Sequence, residues 1–155
     1  MRLLFKQRLF SWLDSYDIYD EAGRTVFTVK GVLSWGHCLE IYDGAGRKLG
    51  CVKEEVLTFL PRFHLYAGDT FLGTIRKEFS LFHPSYNISF NGWRVEGDLF
   101  GWEYAVYDSG EQVARVFKEL LNFTDTYVID VPRAENVLYV LMTVLAIDAA
   151  NCSKN

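Results

Sequence analysis

The chain has 155 residues, 50% of them hydrophobic and 16% aromatic, and its 16 Lys and Arg against 20 Asp and Glu give a formal net charge of −4. That size and apolar content suit one domain, residues 1–155, burying about two thirds of its unfolded surface. The acidic balance argues against a general nucleic-acid binder, which needs a dominant basic field to displace condensed counterions.

The opening stretch, Met1 to Arg8, has its apolar run broken by Lys6 and Arg8 and so does not read as a secretory signal. A triplet then recurs along the chain. An aromatic is followed four positions later by Tyr, Phe or Leu and six positions later by Ile, Leu or Val. The copies are Trp12-Tyr16-Ile18, Trp35-Leu39-Ile41, Phe59-Phe63-Leu65, Phe82-Tyr86-Ile88, Phe100-Tyr104-Val106 and Phe123-Tyr127-Ile129. Successive copies are 23, 24, 23, 18 and 23 residues apart. Such a period denotes one supersecondary unit that cannot bury its apolar face alone.

Most triplets lead into turn residues, as at Tyr19 to Arg24, Tyr42 to Arg47, Tyr66 to Asp69 and Tyr107 to Glu111. Glycine there supplies positive φ, and Asp hydrogen-bonds its own backbone locally. Beyond the turns the chain alternates with period two, as in Arg24 to Lys30 and Phe71 to Arg76, which is the pattern of half-buried strands. Six units of two strands predict a dozen short strands over about residues 3–131, joined as an antiparallel meander. The repeated aromatics are expected in the core, because they carry most of the area that a small domain can bury.

The pattern stops at Pro132. Val137 to Ile147 is apolar on every helical face apart from a Tyr and a Thr hydroxyl, which predicts a wholly buried helix over about residues 133–150 followed by a short polar tail, 151–155. Leu138, Leu141, Met142 and Leu145 are its expected core residues. The apolar stretch is only ~16 Å long as a helix, too short for ~30 Å of hydrocarbon, so no transmembrane segment is expected. Twelve strands closed into a barrel enclose more space than strand side chains fill. The expected fold is therefore mainly β, a closed 12-stranded antiparallel barrel around a central hydrophobic C-terminal helix.

Phe10-Ser11-Trp12, Phe59-Leu60-Pro61-Arg62-Phe63, the run from Lys77 to Tyr86, Trp93-Arg94-Val95-Glu96-Gly97-Asp98 and Val144-Leu145-Ala146-Ile147-Asp148 together resemble the LURP-one-related (YxjI) family. The match spans Lys6 to about Ala150. That family is similar to the Tubby C-terminal domain and the phospholipid scramblases, so the resemblance implies the same helix-in-barrel fold. Tubby-type domains bind phosphoinositides through a basic pocket, which makes an anionic lipid headgroup the ligand class the resemblance offers. The chain has no clustered Lys-Arg motif like that pocket, so no headgroup residue carries over by position. The proline-rich segment and membrane anchor of scramblases have no counterpart either, and lipid translocation is not expected.

Cys38, Cys51 and Cys152 are odd in number and lack Cys-x-x-Cys spacing, so reduced thiols in a cytoplasmic protein are expected, without disulfide or zinc. His37, His64 and His83 form no metal-ligand pair in sequence, and no nucleophile turn is evident, so the chain is expected to be non-enzymatic and without cofactors. A pocket joining His64 or His83 to a carboxylate would favour an enzyme instead. Gly44 to Gly50 reads as a hairpin rather than a phosphate loop, since strand and not helix follows it. Asp14, Asp17, Asp20 and Glu21 read as turn-capping groups rather than Ca²⁺ ligands, and Asp148 ends the apolar helix at the barrel mouth.

Each triplet also carries Lys or Arg five or six positions before its aromatic: Lys6, Lys30, Lys53, Arg76 with Lys77, Arg94, and Lys118. Lys53, Arg62, Arg76 and Lys77 are the densest group. Together they define a candidate anion or headgroup site, built from charge-assisted hydrogen bonds; the competing expectation is solubilising cations on solvent-facing strand positions. The functional expectation is peripheral recognition of an anionic lipid headgroup or similar small anion. The alternative is a protein-interaction module using barrel loops, near Pro61, Pro84 and Asn122, or an exposed strand.

Overall fold

The structure, a computed structural model, describes residues 1–6, 14–83, 85–121 and 124–152. Trp12, Phe123, the Phe10-Ser11-Trp12 segment, Pro84 and Asn122, singled out above, lie outside the described residues. Twelve strands alternate in direction: β1 (Arg2–Phe5), β2 (Ser15–Tyr19), β3 (Thr25–Ser34), β4 (Gly36–Asp43), β5 (Lys48–Glu54), β6 (Arg62–Ala67), β7 (Thr70–Glu78), β8 (Ser85–Ile88), β9 (Arg94–Asp98), β10 (Glu103–Asp108), β11 (Glu111–Leu121) and β12 (Thr124–Asp130). A short 3₁₀ turn, Ala134–Asn136, leads into α1 (Val137–Cys152).

The strands form one antiparallel sheet in the order β8-β7-β6-β5-β4-β3-β2-β1-β12-β11-β10-β9. The β1–β12 pairing, Arg2↔Asp130 through Phe5↔Tyr127, bends the meander round on itself. The barrel is thereby nearly closed, and β8 and β9 face each other across a seam that no ladder spans among the described residues. The polar turns behave as their residues require. Asp20 Oδ1 accepts the Ala22 and Arg24 N–H groups, and Asp43 Oδ1 accepts those of Ala45 and Arg47, all at 2.9–3.0 Å. These backbone donors hold both carboxyls below their usual pKa, with the adjacent arginine charges adding to the effect.

The second and third members of the triplets supply the core: Ile18, Leu39, Ile41, Phe63, Leu65, Tyr104, Val106 and Ile129 all point inward and are buried. The leading aromatics do not. Trp35 is 89% exposed, Phe59 96%, Phe82 85% and Phe100 48%. The expectation that the repeated aromatics are core therefore fails for the first position, because it falls in a loop rather than on the inward side of a strand.

α1 fills the interior, and 12 of its 16 residues are buried, among them Leu141, Met142 and Leu145. Leu138 packs against the core only partly buried. By length and apolarity the segment Ala134–Cys152 would also suffice to cross a membrane, but most of it is enclosed by strands. Polar groups on α1 are satisfied locally or used as ties. Thr143 donates to the Tyr139 carbonyl at 2.8 Å. At the far end Asn151 accepts the Tyr86 hydroxyl of β8 and donates to the Leu99 carbonyl just after β9, at 3.1 Å. Asp148, buried, accepts the Trp102 indole N–H at 3.1 Å. At the other end of the seam the Phe90 and Trp93 rings pack at a tilt, centres 6.0 Å apart, with Phe90 6.5 Å from Tyr139 of α1. The helix thus bridges the gap that backbone pairing leaves.

Two substitutions test this packing. Leu141→Asp loses about 2–5 kcal/mol of buried apolar packing and adds several more for an uncompensated buried charge, which together rival a domain stability of about 5–15 kcal/mol. The variant is expected to show no cooperative melt by circular dichroism, and a native-like melt would show that α1 is not the core. At Gly50 an added Cβ would lie 2.1 Å from the Tyr66 carbonyl oxygen and 2.6 Å from the Met142 methyl. Gly50→Ala must push β5 from β6 or from the helix, costing about 1–3 kcal/mol, or about 2–4 °C of melting temperature per kcal/mol.

Candidate functional site

Because every strand reverses direction, the loops after odd-numbered strands share one end of the barrel and those after even-numbered strands share the other. The second end is built from short polar turns. The first is apolar. Of the exposed large hydrophobic residues among those described, only Met1 and Phe71 belong to the polar end. The remainder lie in or beside the β3–β4, β5–β6, β7–β8 and β9–β10 loops and the end of β11.

The repeated cations lie on or just beyond the odd strands, Lys6 following β1 and Arg94 opening β9, with an even strand between each and the next, so they are spread round the barrel and do not converge. Several rest on neighbouring aromatic faces, with Lys6 Nζ 5.3 Å from the Tyr19 ring centre, Lys30 4.6 Å from Tyr42 and Lys118 6.0 Å from Tyr127. Arg94 pairs with Glu96 at 2.7 Å.

On β5–β7 cations do gather. Arg62 and Arg76 are direct cross-strand partners, and Lys53 is paired with His64 in the next row. The alternation that buries Phe63, Leu65 and Ile75 turns Arg62, His64, Thr74 and Arg76 outward. The same parity separates Lys77 from Arg76. Lys77 is turned inward, buried, with its Nζ 5.4 Å from the Phe100 ring centre. Of the four grouped cations, Lys53, Arg62 and Arg76 therefore share an outer face and Lys77 does not.

Glu55, in the β5–β6 loop, accepts from Arg62 at 3.3 Å and contacts His64 Nε2 at 3.0 Å. His64 Nδ1 lies 3.2 Å from Thr74 Oγ1. No carboxylate lies within ion-pair distance of the exposed Arg76 among the described residues. Like charges directly opposed on adjacent strands are unfavourable unless something neutralises them. Two clefts adjoin the pair. One, of about 350 Å³, is lined by Arg62, His64, Thr74, Arg76, Asn87 and Ser89. The other, of about 460 Å³, climbs from Arg62 and Arg76 to Phe59 and Phe79 at the apolar end. Sequence reading missed His64, Thr74 and Asn87 as companions of the arginines, since only register brings them together.

A His–carboxylate contact is thus present, the arrangement that would favour an enzyme. Beside it the Thr74 N–H is given to Ser89 Oγ at 2.9 Å.

On the neighbouring outer face Cys38 and Cys51 are diagonal neighbours of β4 and β5. A hydrogen bond from Cys38 to the Cys51 sulfur, with Lys48 and Lys53 adding positive charge, pulls the Cys51 thiol down to about 7, while the Cys38 thiol is pushed up. Alkylation of Cys51 by iodoacetamide should therefore rise through a midpoint near pH 7, with Cys38 unreactive. Cys38→Ala should move that midpoint upward, as followed by mass spectrometry; an unmoved midpoint would remove the hydrogen bond as its cause.

The fold defines a class, a twelve-stranded meander barrel wrapped around one apolar helix. The chain matches the LURP-one-related family over residues 1–148 and belongs to it. It is 28% identical over 149 residues to the uncharacterised protein YxjI of Bacillus subtilis strain 168, covering 96% of this chain and 92% of that one. Its fold is similar to that of a crystal structure of an Arabidopsis thaliana protein, with a TM-score of 0.65 and 16% identity over 95% of this chain and 89% of the other.

Proposed function

We propose that this protein is a non-enzymatic binding module that recognises a phosphate-bearing anion, free or as a lipid headgroup, through Arg62 and Arg76. The observation that carries the reading is the direct opposition of these two arginines on β6 and β7, at the foot of a cleft. A dianionic phosphate between them would relieve their repulsion and accept two guanidinium forks at once. His64, Thr74 and Asn87 line the adjoining cleft as further hydrogen-bonding partners, and Lys53 adds charge from the next row. Glu55 holds Arg62 by one contact, which leaves the remaining donors of that guanidinium for a ligand.

A charge-assisted hydrogen bond contributes about 1.5–3 kcal/mol, so Arg76→Gln is expected to weaken binding of inorganic phosphate at low salt by about tenfold or more. Isothermal titration of wild type and variant measures it directly. Equal affinities, or no saturable binding by the wild type, would overturn the proposal. Phosphatidylcholine vesicles with and without phosphatidic acid form the second arm. Preference for the anionic vesicles together with weak binding of free phosphate marks the headgroup as the source.

A further inference from the structure

The apolar end of the barrel has a shape and composition that anion binding does not require. Trp35 at the tip of β3–β4, Leu57 and Phe59 in β5–β6, and Phe79, Leu81 and Phe82 in β7–β8 are all at least 75% exposed. Leu57 is held at φ +62°, a strained conformation for a leucine, with its side chain wholly in solvent. These loops are consecutive around the barrel and make a crescent whose apolar groups stand on three separate tips. Soluble monomers rarely leave so much large apolar surface uncovered without a partner for it.

We propose that this crescent is a membrane-insertion face whose partner is the interfacial region of an anionic lipid bilayer. The charge beneath it fits that occupant. Arg62 follows Phe59 by three residues and Arg76 precedes Phe79 by three, a span of about 10 Å in extended chain. Side chains seated about 5–10 Å into the headgroup and acyl boundary would bring both arginines level with lipid phosphates. Tryptophan at a loop tip suits the same layer, since its ring is apolar and its N–H needs water or a headgroup acceptor. Three acidic residues share the crescent with the cations: Glu54 ends β5, Glu55 is held by Arg62 and His64, and Glu78 accepts from Ser85, while the remainder gather on the other side. Asp98, Glu103, Glu119 and Asp125 belong to β9–β12, so the crescent docks with the β9–β12 side tilted away from the surface. The inference deepens the anion reading, and it rests on that reading only for the charge beneath the loops.

The test pairs the double variant Leu57→Ser with Phe82→Ser against Arg76→Gln, using phosphatidylcholine vesicles with and without phosphatidic acid and inorganic phosphate. Both loop residues are exposed, so an unchanged melting temperature is expected and serves as the folding control. The loop variant should lose at least tenfold in affinity for anionic vesicles while binding phosphate as the wild type does. Arg76→Gln should weaken phosphate binding and the preference for anionic lipid together, while leaving binding to phosphatidylcholine vesicles unchanged. The fluorescence of Trp35 should shift to shorter wavelength on adding vesicles to the wild type, and Trp35→Phe should abolish the shift. Wild type that binds both vesicle types equally and no phosphate would sink the anion reading and leave insertion standing. Vesicle binding undiminished in the loop variant would overturn insertion, as would wild type that ignores vesicles but dimerises in solution through the same residues, which would make a second copy the occupant.

Discussion

Burial of α1 is the constraint on which the rest of this molecule depends. Eleven ladders join twelve strands, and the twelfth junction, between β8 and β9, is made by side chains of the helix and its neighbours. Asn151 reaches Tyr86 on one lip of the seam and Leu99 on the other, Asp148 holds Trp102, and Phe90 with Trp93 covers the opposite end against Tyr139. An apolar helix inside a barrel is thus both filler and fastener. The buried Asp148 carboxylate also raises the pKa of the Tyr16, Tyr86 and Tyr104 hydroxyls, behind the larger effect of their own burial, so these phenols stay neutral.

The meander separates two chemistries by parity alone. One end receives every loop that follows an odd strand, the other every loop that follows an even strand, and a repeat of two strands stamps the same residue type at the same end each time. Asp and Gly fall at one rim, where chain reversal needs capped carboxylates and positive φ. Bulky apolar residues fall at the other, in the β3–β4, β5–β6, β7–β8 and β9–β10 loops. Repeated cations lie on or just beyond the odd strands between the two, Lys6, Lys30 and Lys118 each on a neighbouring ring, and on β5–β7 Lys53 and Arg76 share a patch with Arg62 of β6.

Much of this architecture was legible in the chain. The triplet spacing counted the strands, the turns marked the hairpins, and the featureless apolarity of Val137 to Ile147 announced the buried helix. Its Leu138 proved only partly covered, because it lies where the helix enters the barrel. The repeated aromatics misled because spacing alone does not say whether a residue lies on a strand or one step outside it. Phe63 and Phe59 are both aromatic and differ in burial from 0% to 96%. The candidate site was half visible. Arg62 and Arg76 stood out as cations, but their opposition, the intrusion of Glu55 and the company of His64 and Thr74 follow from register across strands distant in sequence. Lys77 shows the same limit in reverse, since adjacency to Arg76 in sequence guarantees opposite faces in a strand.

Placing the core element after all twelve strands fixes the order in which the molecule becomes stable. A ribosome making this chain releases a complete sheet whose inner face has nothing yet to cover it, and the seam stays open until α1 has emerged and entered. Folding is therefore a closing event that follows synthesis of the strands, and any product truncated before Val137 is an apolar sheet with two unprotected edges. Such a chain would depend on chaperones, and its fate in the cell would be set by how long the open sheet waits for its helix.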